Sequence, residues 1–245
     1  MRSGSNVQAA ELPRAHRAVA SDADLRARAK RVVAAGYDRM AGRYAAWASE
    51  IAYDPRGRMT AELVGRLPDG AAVLDLGCGS GLPSTAALAQ RCNVTGVDIS
   101  ASQIALARRQ VPGATFLIAD ITQVQLPASS FAAVTAFYSI IHVPREEHAA
   151  LFRNVTRWLK PGGYFLAALS AAGDPGWHGE WMGVPMFFSG FDAETNARML
   201  RDLDLTLLLD EVIDTHEPDG AVPFHWVLAR KPPAGGTPAQ GRRRR

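Results

Sequence analysis

V-L-D-L-G-C-G-S-G, residues 73–81, opens as a run of strand-forming apolar residues and closes in three alternate glycines. An acid, Asp75, lies two positions before the first of them. Gly77, Gly79 and Gly81 let the backbone turn tightly and approach a ligand with no Cβ in the way. Pro83 suits a first helical position, and Ser84-Thr85 lead into A-A-L-A, so a helix is expected just beyond. Strand, glycine turn and helix together predict a nucleotide-binding loop.

Spacing and charge bear on which nucleotide. The dinucleotide fingerprint G-x-G-x-x-G/A seats a pyrophosphate on the helix N-terminus. Here the spacing is G-x-G-x-G, and Leu82 stands where the third small residue belongs. No Lys or Arg lies between Val73 and Gln90, whereas Asp75, Asp98 and Asp120 sit at the ends of three successive predicted strands. Three carboxylates repel a diphosphate and suit a cationic ligand such as S-adenosylmethionine. A nicotinamide oxidoreductase is disfavoured on the same grounds.

Four further segments follow in order: V-T-G-V-D-I-S (94–100), A-T-F-L-I-A-D-I (114–121), F-A-A-V-T-A-F-Y-S-I-I-H-V (131–143) and W-L-K-P-G-G-Y-F-L-A-A-L (158–169). With the glycine loop they resemble the motifs of class I S-adenosylmethionine-dependent methyltransferases, over roughly residues 31–230. The resemblance implies a Rossmann-like α/β fold: a seven-stranded, mostly parallel sheet with an antiparallel last strand and helices on both faces. It also implies a site. Asp75, Gly77, Cys78 and Gly79 belong to the loop, and Asp98, 21 positions after Gly77, would accept from the ribose hydroxyls. Ile99 and Gln103 follow it. Asp120 and Ile121 would meet adenine, and the backbone at Phe137 the methionine ammonium group. The product would be S-adenosylhomocysteine.

Composition narrows the function classes. The 245 residues, 47% hydrophobic and 21% charged, fit one large soluble α/β domain. No run approaches the ~18 apolar residues of a membrane span, and the first twenty residues lack the apolar core of a secretory signal. Reduced Cys78 and Cys92 in a cytoplasmic protein are the plainer reading of the two cysteines. The usual metal-ligand spacings are absent. Arg242 to Arg245 account for the basic balance: without them the formal charge of +3 becomes −1. The folded body thus lacks the basic face of a nucleic-acid enzyme. A small-molecule acceptor is expected, with no nucleic acid or membrane partner and room for a homo-oligomer.

Residues 1–20 read as a disordered, polar, Ala/Arg-rich lead, and 231–245 as a flexible basic tail. Residues 21–70 read as a helical cap, followed by the main domain over 71–230. Tyr37, Tyr44 and Trp47, spaced by seven and three, share a helical face. They are core packing or, by family resemblance, a helix that closes over the methionine end of the cofactor. Strands are predicted near 72–76, 93–97, 114–118, 131–137, 163–169, 206–214 and 223–230. Helices are predicted near 59–67, 83–91, 101–110, 145–159 and 192–203.

After the fifth strand, residues 171–191 are rich in aromatics, Met, Gly and Pro without a clean period of 2 or 3.6. This reads as a lid or wall of the acceptor pocket. Trp177, His178, Trp181, Met182, Met186, Phe187 and Phe188 would line it, together with Tyr44 and Tyr138. His142, just past the fourth strand and with a pKa suited to neutral pH, is the candidate general base. It could equally satisfy a cap or loop. His148 and His178 are weaker candidates. Ala136-Phe137-Tyr138-Ser139 departs from the [N/D]-P-P-[Y/F/W] pattern of amino-methylating relatives, and with the near-neutral body and apolar lid this favours a small apolar or aromatic metabolite; the Ala/Arg-rich composition points to specialised metabolism. RNA or protein methylation, and S-adenosylmethionine-dependent cyclisation or another displacement, remain alternatives.

Overall fold

Apolar runs that bury both faces belong in the middle of a parallel sheet, and the computed structural model, which describes residues 21–235, places them there. β1 (Ala72–Leu76) and β4 (Phe131–Phe137) pair in parallel at the centre. β2 (Asn93–Asp98) and β3 (Thr115–Ile118) extend one side, and β5 (Leu159–Ser170) extends the other. β8 (Thr206–Glu217) and β9 (Gly220–Arg230) form a hairpin; β9 inserts antiparallel between β5 and β8. The order is β3-β2-β1-β4-β5-β9-β8. The expected seven-stranded, mostly parallel Rossmann-like sheet is therefore present.

Helices cover both faces. α5 (His148–Trp158) buries Leu151, Phe152, Val155 and Trp158 on one face against Leu74, Val134 and Phe165. α6 (Ala193–Arg201) adds Leu200 there, and its N-terminus is capped by Asp192. On the other face α2 (Arg56–Gly65) contributes Met59 and Leu63, and α3 (Ser84–Ala89) contributes Leu88, against Val73, Ala133 and Trp226. α4 (Ala101–Gln110), capped by Ser100, packs Ile104 and Ala107 on Phe116. No helix among the described residues is long and apolar enough to cross a membrane.

Three sequence expectations are corrected. The helical cap is α1 (Asp22–Ser49) alone, because α2 lies on the sheet as part of its helical layer. The helix expected at 145–159 starts at His148, after a 3-10 turn at Arg145–Glu147. The segment expected as a lid forms a β-hairpin in a sheet of its own, β6 (Asp174–Trp181) and β7 (Val184–Gly190), with a register shift between Asp174 and Trp177. Its two-residue turn has φ of 52° at Met182 and 71° at Gly183, as a type I′ turn requires. The alternation was hidden because both faces carry apolar residues, Met186 and Phe188 on one and Phe187 on the other. The expectations for residues 1–20 and the arginine run fall outside the described residues.

α1 begins at a Ser21–Asp24 capping box and crosses the carboxyl ends of the strands, where the β6–β7 hairpin packs on it. Gly36 sits inside this helix at a cost of about 1 kcal/mol relative to Ala. A Cβ there would come within 2.7 Å of the Met186 Cε and 3.1 Å of the Pro185 carbonyl oxygen, so the glycine is what lets β7 approach. Asp38 then ties α1 to the start of α4, accepting from the Ser100 hydroxyl (2.6 Å) and the Ser102 amide (3.0 Å). Gly36→Val is expected to lower stability by about 1–3 kcal/mol through overpacking. Hydrogen exchange should quicken in 22–49 and 174–190 while β1 and β4 stay protected; uniform exchange would contradict this packing.

Candidate functional site

The glycine turn is held from three sides. The Gly77 and Cys78 amides both donate to the Val97 carbonyl, at 2.7 and 3.1 Å. Gly77 has φ of 70°, and a Cβ on it would fall 2.2 Å from the Ser139 Cβ. The ends of β1 and β4 thus lie closer together than any other residue allows. At the tip of β2 the buried Asp98 accepts from the Gly79 amide and the Ser100 amide, both at 2.9 Å. Burial pushes its pKa up to about 6, against those two bonds.

Beneath the turn, Asp75 accepts from the hydroxyls of Thr85 (2.6 Å) and Thr135 (2.8 Å). It is buried and supports the loop without lining the cavity above it. Cys78 also points away, packed with Ile104 and Phe116, and burial drives its thiol pKa far up. Among the sequence-selected loop residues, Gly77 and Gly79 face the cavity, whereas Asp75 and Cys78 do not.

That first cavity runs along the strand ends. Asp98, Ile99, Gln103, Asp120, Ile121 and Phe137 all line it, as does Tyr37 from α1. Gln103 is buried, and neither its amide oxygen nor its nitrogen has a hydrogen-bond partner. Such a side chain calls for a ligand, since an unpaired buried polar group costs about 1–3 kcal/mol. Lys30 enters the same cavity, bonded to Asp120 (2.7 Å) and Glu147 (2.9 Å). Burial opposes its charge, but the two carboxylates outweigh this and hold its pKa above the ordinary lysine value. The cradle is therefore less acidic than the sequence suggests: Asp75 is below the floor, and a lysine comes in from another element. Lys30 and Val33 were missed, although their spacing of three, then four to Tyr37, continues the same helical stripe.

A second chamber, of about 300 Å³, adjoins the first, and Tyr37, Tyr44, Tyr138 and His142 line both. His142 lies in the 3-10 turn Ile140–His142 that follows β4. Its Nδ1 is 2.9 Å from the Phe187 carbonyl oxygen, which can only accept, so Nδ1 carries the proton. Nε2, 2.9 Å from the Tyr37 hydroxyl, therefore accepts from it. The sequence reading gave His142 a pKa near neutrality; burial instead pushes it down to about 4, against the bond to Phe187. It is a neutral acceptor at pH 7.

Tyr138, with φ of 55°, reaches into the chamber and donates to Asp54 (2.9 Å), 3.1 Å from the Thr215 hydroxyl. The Arg56 guanidinium covers its ring at 5.1 Å and pairs with Asp54. Trp47, Trp181 and Phe188 complete an aromatic wall. From the hairpin Asp174 and Ser189 also line the chamber, whereas the other residues selected from the sequence do not. Met186 and Phe187 are buried between β7 and α1, and Met182 occupies the turn. His178 has the opposite strand parity to Trp181 and is exposed on the outer face, and Trp177 is 41% exposed. His148 bonds the Val143 carbonyl (2.9 Å) and lies outside both cavities. Arg56, Thr215 and Glu217 escaped the sequence reading, since only the pairing of β8 with β9 and with the Tyr53 bridge brings them there.

Known proteins resemble this chain in sequence and in fold. Residues 73–163 match the family model described as "Methyltransferase domain". The chain is 37% identical over 115 residues to trans-aconitate 2-methyltransferase of Azoarcus sp. (strain BH72), covering 45% of this chain and 44% of that protein. It is 36% identical over 130 residues to 27-O-demethylrifamycin SV methyltransferase of Amycolatopsis mediterranei (strain S699), with 47% of each covered. The matched part thus spans about half the length of these curated relatives. Among solved structures, Burkholderia thailandensis 1,6-didemethyltoxoflavin-N1-methyltransferase with bound 1,6-didemethyltoxoflavin and S-adenosylhomocysteine superposes with a TM-score of 0.64. That match covers 91% of this chain and 93% of the other at 18% identity, a likeness of fold.

The two shifted groups make opposite contributions to stability. Asp98, raised from 3.8 to about 6, contributes stability below pH 4 that is lost as pH rises through 6. His142, lowered from 6.5 to about 4, contributes stability above pH 6.5 that is lost as pH falls through 4. Each effect is on the order of 3 kcal/mol. In thermal denaturation, Asp98→Asn should therefore lose stability more steeply than the parent between pH 6.5 and 4. His142→Asn should lose it less steeply. Parallel profiles for all three proteins would rule out these shifts.

Proposed function

We propose that the chain, whose residues 73–163 match a methyltransferase domain, is a class I S-adenosylmethionine-dependent methyltransferase acting on a small, largely apolar or aromatic acceptor held in the second chamber. The observation that carries this is the pair of cavities sharing Tyr37, Tyr44, Tyr138 and His142, one lined by a glycine turn and one by aromatic rings. A cofactor chamber opening on an acceptor chamber is what in-line displacement requires.

The first cavity suits the cofactor. Gln103 holds two unpaired amide atoms there, and the nearest atom to a Cβ on Gly79 would be the Gln103 Oε1, at 3.9 Å. We assign Asp98 to the ribose hydroxyls, Gly77 and Gly79 to the methionine portion with the backbone at Phe137, and Ile99 and Ile121 to the faces of adenine. Asp120, already held by Lys30 and Thr122, would accept from the adenine amino group. S-adenosylmethionine supplies an electrophilic methyl group on a sulfonium that leaves as a neutral sulfide. The enzyme's own tasks are alignment and removal of the acceptor's proton.

Tyr37 and His142 stand where that proton would go. The acceptor's proton would pass to the Tyr37 oxygen while Tyr37's own proton moves to His142 Nε2. The resulting imidazolium would keep its Nδ1–H on the Phe187 carbonyl. With its pKa near 4, His142 accepts a proton only while the methyl group is being transferred, and otherwise stays neutral. A relative named for methylating a small molecule, 27-O-demethylrifamycin SV, supports a small-molecule acceptor. Function in specialised metabolism is inferred on that basis.

Calorimetric titration with S-adenosylhomocysteine tests the cofactor assignment, and transfer of labelled methyl from S-adenosylmethionine into a metabolite extract tests the reaction. A labelled RNA or protein fraction with no labelled metabolite would refute the small-molecule reading. With the acceptor so identified, His142→Ala and Tyr37→Phe should lower kcat by about 10²- to 10³-fold. Affinity for S-adenosylhomocysteine should stay within about threefold, and unchanged kcat in both would remove the pair from the mechanism.

A further inference from the structure

The second chamber has aromatic walls and a negative charge balance. Among the described residues that line it, Arg56 is the one cation, and it is already consumed by its pair with Asp54 and by the face of Tyr138. Two carboxylates line the chamber against it, Asp174 at the start of β6 and Glu217 at the end of β8. Asp174 spends one oxygen on the Gly176 amide, at 2.9 Å. The half-buried Glu217 carboxylate has no hydrogen-bond or ion-pair partner among the described residues. Three carboxylates therefore meet one cation, and the one without a partner is partly withdrawn from water.

The walls reinforce that sign. Tyr44 and Trp47 stack at 5.8 Å, Trp47 meets Trp181 edge-on at 5.6 Å, and Trp181 meets Phe188 at 5.7 Å. Aromatic faces attract a cation and accept a flat ring, and neither property helps an anion. We propose that the acceptor has a planar aromatic body and carries a protonated amine, which Glu217, seconded by Asp174, binds as its counter-ion. Burial, with Asp219 and Asp54 nearby, holds the Glu217 pKa above the ordinary carboxylate value, and a bound ammonium group would relieve that strain. A polycarboxylate or phosphate ester would instead meet an unpaired carboxylate and no free cation, which disfavours both. This inference rests on the second chamber being the acceptor site of the proposed methyl transfer.

Three indoles of one ring and different charge separate the possibilities: tryptamine, indole-3-ethanol and indole-3-acetate. Each would be titrated calorimetrically into the full chain at neutral pH and low salt, with and without S-adenosylhomocysteine. This neutral sulfide adds no sulfonium charge of its own. Tryptamine should bind at least about tenfold more tightly than indole-3-acetate, with indole-3-ethanol between them. Glu217→Gln should weaken tryptamine by about three- to tenfold and leave indole-3-ethanol unchanged, with Glu217→Gln/Asp174→Asn completing the loss. Equal or tighter binding of indole-3-acetate, an unchanged ranking in the double variant, or no binding of any indole would overturn the proposal. The charge ranking without S-adenosylhomocysteine binding would support this selectivity and count against the methyl-transfer reading alone.

Discussion

A buried carboxylate at the tip of β2 holds the site together. Asp98 joins the Gly79 amide to the Ser100 amide, and so binds the glycine turn to the start of α4. Ser100 in turn caps α4 and donates to Asp38 of α1, so one side chain organises loop, helix and cap. Its burial raises its pKa to about 6, and the two amide bonds keep the ionised form accessible near neutrality. A carboxylate so placed is ready to accept further hydrogen bonds, which is why we propose it for the ribose hydroxyls.

Around that anchor the two cavities are closed by elements distant in sequence. α1 brings Lys30, Tyr37, Tyr44 and Trp47; the β6–β7 hairpin brings Trp181 and Phe188; the turn after β4 brings His142. Gly36 allows the helix and hairpin to meet, and the Phe187 carbonyl then fixes the His142 tautomer. Packing and proton placement are thus coupled: the same β7 strand that fills the gap over α1 also sets which imidazole nitrogen is free. The second chamber's polar end comes from the segment after α1, which pairs with edge strand β8 through Tyr53 and His216. That bridge carries Asp54 and Arg56 up to Tyr138.

Much of this was legible residue by residue. The central strands announce themselves by unbroken apolar runs, and Asp98 and Asp120 by their places at strand ends. Lys30 was legible in principle, as a third member of the α1 stripe, but a lysine on a helix face reads as solvated unless its partners are known. Asp75 was grouped with the loop by its proximity along the chain, yet it belongs to β1 and turns onto Thr85 and Thr135, whereas Gly77 and Gly79 lie in the turn beyond the strand end. His142 was placed correctly past β4, yet its depressed pKa depends on burial under a hairpin 45 residues away.

Local sequence determined the strands, the glycine turn and the parallel sheet, because periodicity, glycine spacing and apolar runs act over a few neighbours in the chain. Tertiary structure alone decided the proton location on His142, the charge of the cradle and the sign of the second chamber. Those are sums of burial and Coulomb interactions among α1, β7, β8 and the turn after β4. Such interactions fall off with distance in space and are indifferent to separation along the chain.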